Sequence, residues 1–290
     1  MADTAVFRAD AADGGGRLVV ARVASVVAAF ALWIIAAWYV EQSFRRPESV
    51  LPYPWQVVAG IPRMAVFAGP GTAETWGNAF AVLLSNSLDS ALRLAAGLVI
   101  GALAGIGTGL LLGASRTARQ LFELPLLLIR TIPLFALIPL FLAWFGGSST
   151  GVVVYIAFGV FSMLLINTIA AIENVSPTVQ NFARTLGASR ARVYRTVIVP
   201  AIVPEIAGGI RVVIGIAWAL LIGGELLGAQ SGLGRILALA AQFSDTGRMI
   251  VIVALVAIYT IALDHIVKRV VAHLTRWSPS AAQRPAKSTS

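Results

Sequence analysis

Residues 88–113, LDSALRLAAGLVIGALAGIGTGLLLG, decide the fold class. Beyond Arg93 the run carries no charge, and at about 1.5 Å per residue some twenty such residues cross a hydrocarbon core about 30 Å thick. In hydrocarbon every backbone N–H and C=O must be paired within the segment, so a run of this length and composition is read as a transmembrane helix. Gly97, Gly101, Gly105, Gly109 and Gly113 stand at a strict spacing of four. Four steps of about 100° overshoot one turn by about 40°, so the bare stripe winds slowly round the helix and a neighbouring helix can follow it closely. Packing within the chain is the preferred reading of the stripe, and a dimer seam is the alternative.

The rest of the chain repeats the signal. Of 290 residues 58% are hydrophobic and only 12% charged, against about a quarter charged in soluble domains. The fold class is an all-α membrane protein with about six transmembrane helices, near 18–40, 88–113, 122–145, 151–172, 205–228 and 248–270. The segment 18–40 is too long for the apolar part of a signal peptide and is read as an uncleaved first span. Residues 1–17 and 273–290 are expected as disordered tails. The segment 41–87, with Pro52, Pro54, Pro62 and Pro70, forms an outer loop carrying a short interfacial helix near Trp55–Ala59, where Tyr53 and Trp55 suit headgroup depth. Residues 88–272 form a five-helix core containing a loop over 173–204.

Orientation follows from the basic residues, which are held in the cytoplasm near span ends. Arg8, Arg17, Arg22, Arg116, Arg119, Arg184, Arg190, Arg192, Arg195, Lys268, Arg269, Arg276, Arg284 and Lys287 fall on one side. Only Arg45, Arg46, Arg63, Arg235 and Arg248 fall on the other. Six spans with this bias place both termini in the cytoplasm, and the net charge of +9 is accounted for by the same rule without nucleic acid. Zero cysteines and two histidines, His265 and His273, leave neither disulfides nor a metal cluster, so no metal site is expected.

Within the loop, Ser176 and Pro177 suit the N-cap and first position of a short helix. Val179, Phe182 and Leu186 then share one face, with Gln180, Asn181 and Arg184 elsewhere around the axis. Gly187 can take the left-handed conformation that ends the helix, and Ser189 can cap a second one running through Arg190, Arg192, Val193 and Arg195 towards Pro200. The unit reads helix, glycine turn, helix, and suits docking to a partner.

Ala183, then Gly187 four residues on, then Pro200 thirteen further, resembles the EAA loop of ABC-importer permeases. The resemblance continues through Leu51-Pro52 with Pro54, Arg130-Thr131-Ile132-Pro133 with Pro139, Trp144-Phe145-Gly146, and Glu225-Leu226-Leu227-Gly228 before Ser231-Gly232-Leu233-Gly234. It covers most of residues 50–275 and is similar above all to the permeases of sulfonate, taurine and nitrate importers. It implies that Asn181, Phe182, Ala183, Arg184, Leu186, Gly187, Ala188, Ser189 and Pro200 couple the chain to a cytoplasmic ATPase, which itself holds ATP and Mg. It further implies an extracytoplasmic substrate-binding protein, a second permease copy and a small oxyanion as substrate. The family's usual glutamate and first alanine are Asn181 and Phe182 here, so the larger Phe182 is expected to fill an apolar pocket on the ATPase where an ionic contact would otherwise stand.

Pro125, Pro133 and Pro139 remove backbone donors from the third span, which is predicted to be kinked or locally unwound. Non-helical backbone at membrane depth survives only against protein or a watery cavity. Arg130, Thr131, Pro133, Phe135 and Pro139 are therefore pathway candidates, with a kinked packing helix as the alternative. Arg130 lies roughly 13 Å inside its span, where it either bonds carbonyls freed by Pro133 or presents positive charge to an anion. Asp89 and Arg93 are spaced for a local i, i+4 pair, and Arg211 is read as snorkelling to the cytoplasmic headgroups. Glu225 shares the depth of Arg93, which suggests a pair between helices.

No phosphate-binding loop, nucleophile triad or metal cluster supports catalysis, so the chain is read as a non-catalytic membrane subunit without a cofactor of its own. An ion-gradient-driven secondary transporter is the alternative. It would usually show an internal repeat and midplane carboxylates, which are not evident here.

Overall fold

Ser148 starts the helix around which the larger part of the molecule is built. Its hydroxyl accepts from the Gly151 N–H at 3.1 Å, capping a 25-residue helix that ends where the Asn174 side chain donates to Glu205 at 2.7 Å. The computed structural model describes residues 3–274, with side chains from Val20 onward except those of Arg116, Glu123, Leu127, Arg130, Leu227 and Leu274. In chain order the helices are α1 (Asp3–Ser43), α2 (Pro54–Ala59), α3 (Trp76–Ala114), α4 (Arg116–Thr131), α5 (Ile138–Phe145), α6 (Ser149–Glu173), α7 (Pro177–Thr185), α8 (Arg190–Val193), α9 (Val199–Gly228), α10 (Leu233–Gln242) and α11 (Thr246–Leu274). The chain divides into two compact units, Met1–Phe80 with Ala240–Val251, and Ala81–Leu239 with Ile252–Ser290.

Among the described residues five helices are long and apolar enough to cross a membrane: Val20–Ser43, Trp76–Ala114, Ser149–Glu173, Arg190–Leu226 and Thr246–His273. The predicted third span, 122–145, is not one of them, because it is two helices with a break between. Ile132 is extended (φ −70°, ψ 122°), as the ring of the following Pro133 requires, and one 3₁₀ turn over Leu134–Leu137 leads into α5. Of the three prolines only Pro133 breaks the chain. Pro125 lies inside α4, and Pro139 sits in the first turn of α5, where a missing N–H costs nothing.

Other boundaries shift as well. The helix expected from residue 88 begins at Trp76. The span expected from 205 continues back without interruption through a π-helical turn at Tyr194–Ile198 to Arg190. Residues 3–17, expected as a disordered tail, extend α1, consistent with the strong helix preference of Ala5, Ala9, Ala11 and Ala12. The tail expected over 273–290 lies, beyond Leu274, outside the described residues.

In the larger unit α6 is apolar on every side and correspondingly buried, as a helix at the centre of a bundle should be. Ile156, Val160 and Leu164 pack with Leu94 of α3 and with Val213, Ile214, Ala217, Leu220 and Leu221 of α9. The glycine stripe is answered here. A Cβ added at Gly97 would lie 2.6 Å from the Ile156 side chain, at Gly101 2.5 Å from the Ala157 carbonyl, at Gly105 2.7 Å from the Phe161 carbonyl and at Gly109 2.7 Å from Thr168, while Gly113 faces Ile172. The whole stripe is covered by α6 of the same chain. In the smaller unit the Trp33 indole donates to the Pro52 carbonyl at 3.0 Å, tying the turn before α2 to the middle of α1.

Candidate functional site

Three groups of singled-out residues lie in the larger unit. The first is α7 and the turn that follows. Pro177 occupies the first turn, but the Ser176 hydroxyl makes no cap bond; instead the Gln180 side chain donates to the Val175 carbonyl at 3.1 Å. Gly187 is left-handed (φ 84°), and the Ala188 N–H returns to the Ala183 carbonyl at 3.2 Å, which closes the helix end as such turns do. The Ser189 hydroxyl accepts from the Arg192 N–H at 3.3 Å and opens α8. Val179, Phe182 and Leu186 are 51%, 66% and 73% exposed. Three apolar side chains on one face of a short helix, uncovered by their own chain, form a surface suited to a partner. Asn181 and Arg184 are exposed beside them, Ala183 and Ala188 are half-buried, and Pro200 lies in the first turn of α9.

The second group surrounds the break between α4 and α5. The Leu134 carbonyl accepts from the Tyr155 hydroxyl of α6 at 3.1 Å, so α6 supplies one donor to the backbone there. Thr131, Pro133, Phe135 and Pro139 are exposed, and the Phe135 ring lies against Gly223 of α9. The Arg130 side chain lies outside the described residues, so both readings of it stand as expectations.

The third group is a buried polar knot. Arg93 of α3 and Glu225 of α9 meet at 2.7 Å with side chains 7% and 0% exposed. The arginine also donates to the Ser149 hydroxyl at 2.9 Å, the Ser231 hydroxyl at 2.6 Å and the Ser231 carbonyl at 2.7 Å. Glu225 accepts from the Ser90 hydroxyl at 2.8 Å and from the Gly234 N–H at 2.9 Å. The Asn86 side chain accepts from the Gly232 N–H at 2.8 Å, and Gly232 holds φ 108°, which a residue with a Cβ rarely adopts. Four helices and the α9–α10 turn are thus joined through one ion pair whose polar atoms are satisfied, the condition under which a buried pair is tolerated.

The local Asp89–Arg93 pair does not form, because Arg93 turns into the bundle; Asp89 makes no ion pair among the described residues. Arg211 is not left to snorkel alone. Its Nε lies 3.3 Å from Asp264 of α11, which also pairs with Lys268. Sequence reading missed Ser90, Ser149 and Asp264, and named Ser231 only as part of a motif, without its bonds to Arg93. Ser90 stands three residues before Arg93 on the same helical face, and Asp264 stands four before Lys268, so spacing alone could have indicated both.

Known proteins resemble this chain over much of its length. The profile of the family described as binding-protein-dependent transport system inner membrane component matches residues 97–278. The taurine transport system permease protein TauC of Escherichia coli (strain K12) is 31% identical over 227 residues, 78% of this chain and 80% of that one. The putative aliphatic sulfonates transport permease protein SsuC of Bacillus subtilis (strain 168) is 32% identical over 231 residues, 78% and 84% of the two chains. The nitrate import permease protein NrtB of Leptolyngbya laminosa is 27% identical over 78% of this chain and 77% of its own length. In fold, a chain of the inward-facing MetNI methionine ABC transporter superposes with a TM-score of 0.58 at 18% identity, covering 68% of this chain and 98% of that one.

Proposed function

Because the chain belongs to the family of inner-membrane components of binding-protein-dependent transport systems, we propose that it is the permease subunit of an ATP-driven importer of a small oxyanion. The three relatives named above carry taurine, aliphatic sulfonates and nitrate in their names, and an alkanesulfonate or nitrate shares the compact, delocalised negative charge that Arg130 would attract. An extracytoplasmic binding protein delivers the substrate. Two copies of the chain form the pathway, and both termini face the cytoplasm, as the basic loops favour when the broken α4–α5 segment completes a sixth crossing beside the five long helices.

The carrying observation is the uncovered Val179, Phe182 and Leu186 face of α7, closed by the left-handed Gly187. α8, the π-helical turn and α9 form one helix, Arg190–Leu226, adjoining that turn. A partner that grips α7 therefore pulls close to the root of a spanning helix. An ATPase pair that closes on ATP moves these loops, and ATP shifts the balance between inward and outward access only to the extent that it binds one arrangement more tightly. ATP and Mg reside on the ATPase.

The test is purification of the tagged chain from its own membranes in mild detergent, beside a Gly187→Asp variant. Nothing blocks a Cβ at position 187, so the variant strains the turn without filling space. Recovery of an ATPase and a binding protein with wild type, and loss of the ATPase with the variant, is the expected result. Uptake by the purified chain alone, driven by an ion gradient in liposomes, would overturn the proposal in favour of a secondary transporter.

A further inference from the structure

The smaller unit holds a cleft of about 630 Å³ where α2 approaches α1. Its floor is Ile34 and Ile35, and its walls are Trp38, Tyr53 and Trp55. The two rings contributed by the start of α2 stack, with centroids 4.4 Å apart and planes within 12°. At the mouth, the Tyr53 hydroxyl donates to Glu41 at 2.7 Å. Burial and Coulombic repulsion add to that bond, which is the main cause of a Tyr53 pKa above the usual tyrosine value; the hydroxyl therefore stays a donor. The Gln56 side chain accepts from the Tyr53 N–H at 2.9 Å and ties down the backbone from which the ring projects. The cleft is thus held by the α1 anchor at Trp33 and by these two bonds rather than by loose side chains.

The lining is graded along the membrane normal. Ile34 and Ile35 belong to the apolar part of the first span, Val20–Ser43, whereas Glu41 stands in its last turn. Aromatic rings at that depth are at home between tails and headgroups. Tryptophan and tyrosine faces attract cations, and cages of them bind alkylammonium groups. A carboxylate at the mouth adds charge and accepts an N–H bond. Arg45 and Arg46 follow four and five residues after Glu41 and are exposed, at the end of α1 where a lipid phosphate would lie.

We propose that this cleft between α1 and α2 is a binding site for a phospholipid whose headgroup carries a primary ammonium, with the amine at Glu41 and the aromatic faces and an acyl chain along Ile34 and Ile35. The occupant follows from the charge and the depth together. A soluble cation has no use for the apolar floor, and an anionic lipid gains nothing from Glu41.

Native mass spectrometry of the full chain, released from detergent with equal amounts of synthetic phosphatidylethanolamine and phosphatidylglycerol, tests the site. Both lipids share the phosphate, so the comparison isolates the amine. Wild type is expected to retain phosphatidylethanolamine about tenfold better, the factor that about 1.4 kcal/mol of cation recognition confers. Glu41→Gln, which keeps an acceptor for Tyr53, and Trp55→Leu, which removes one ring, are each expected to bring the ratio towards one. Equal retention by wild type, or an unchanged ratio in both variants, overturns the proposal. So does a lower dimer fraction in Trp55→Leu with no lipid preference in wild type, which would assign the cleft to a second copy.

Discussion

Glu225 is the residue on which the larger unit's polar knot turns, because its carboxylate is fully buried and has donors on three sides: Arg93, Ser90 and the Gly234 backbone. Removing one partner of such a pair leaves an uncompensated charge and typically costs about 3–5 kcal/mol. Glu225→Ala and Arg93→Ala are therefore expected to lower the unfolding temperature in detergent markedly, with Glu225→Gln milder because one acceptor survives. Reversal of both charges is expected to rescue little. An arginine at 225 would face the donors of Ser90 and Gly234, and a carboxylate at 93 would face the Ser231 carbonyl; recovery of wild-type stability would show that the ion pair alone matters. From the sequence, the shared depth of Arg93 and Glu225 was legible and so was their need for partners. The choice between Asp89 and Glu225 was not, since i, i+4 spacing reveals only neighbours on one helix, and Arg93 found its carboxylate on another.

At the scale of elements, the contact between α3 and α6 is set by what α3 lacks. Close backbone approach replaces hydrophobic driving force between helices in lipid, and each glycine of the stripe faces a backbone or branched side chain of α6. Gly101→Ala and Gly109→Ala force displacements that usually cost about 1–3 kcal/mol. Gly107, on the same helix, has open space where its Cβ would stand, so Gly107→Ala is expected to be neutral or slightly stabilising. Unfolding temperatures of the three variants decide the point; equal losses would mean that helix flexibility, not contact with α6, is what the glycines provide. The period of four was plain in the sequence, but the partner was not, because a bare stripe accepts any close neighbour. The break at Ile132–Pro133 was legible for the converse reason, that a proline's steric demand is local. The π-helical turn at Tyr194–Ile198 left no such local mark. At its start the Tyr194 hydroxyl donates to the Leu110 carbonyl at 2.5 Å, a contact across 84 residues of chain that no local pattern reveals.

For the molecule as a whole, the proposed importer requires a face that stability does not need and a partner does. Phe182 meets that description, since it is two-thirds exposed and its loss should hardly alter the folded chain in isolation. Burying such a ring in a pocket contributes about 1.5–3 kcal/mol, which corresponds to roughly 10–150-fold in affinity. Phe182→Ala is accordingly expected to reduce retention of the ATPase at least tenfold and to lower uptake, with an unfolding temperature unchanged from wild type. Asn181→Ala, at an exposed polar position beside it, is expected to change retention far less, because a neutral amide that stays hydrated brings little net energy to an interface. Should the two variants behave in the opposite order, the apolar face of α7 would not be the gripping surface. Asn181 would then carry the grip instead, through the hydrogen bonds its exposed amide can make.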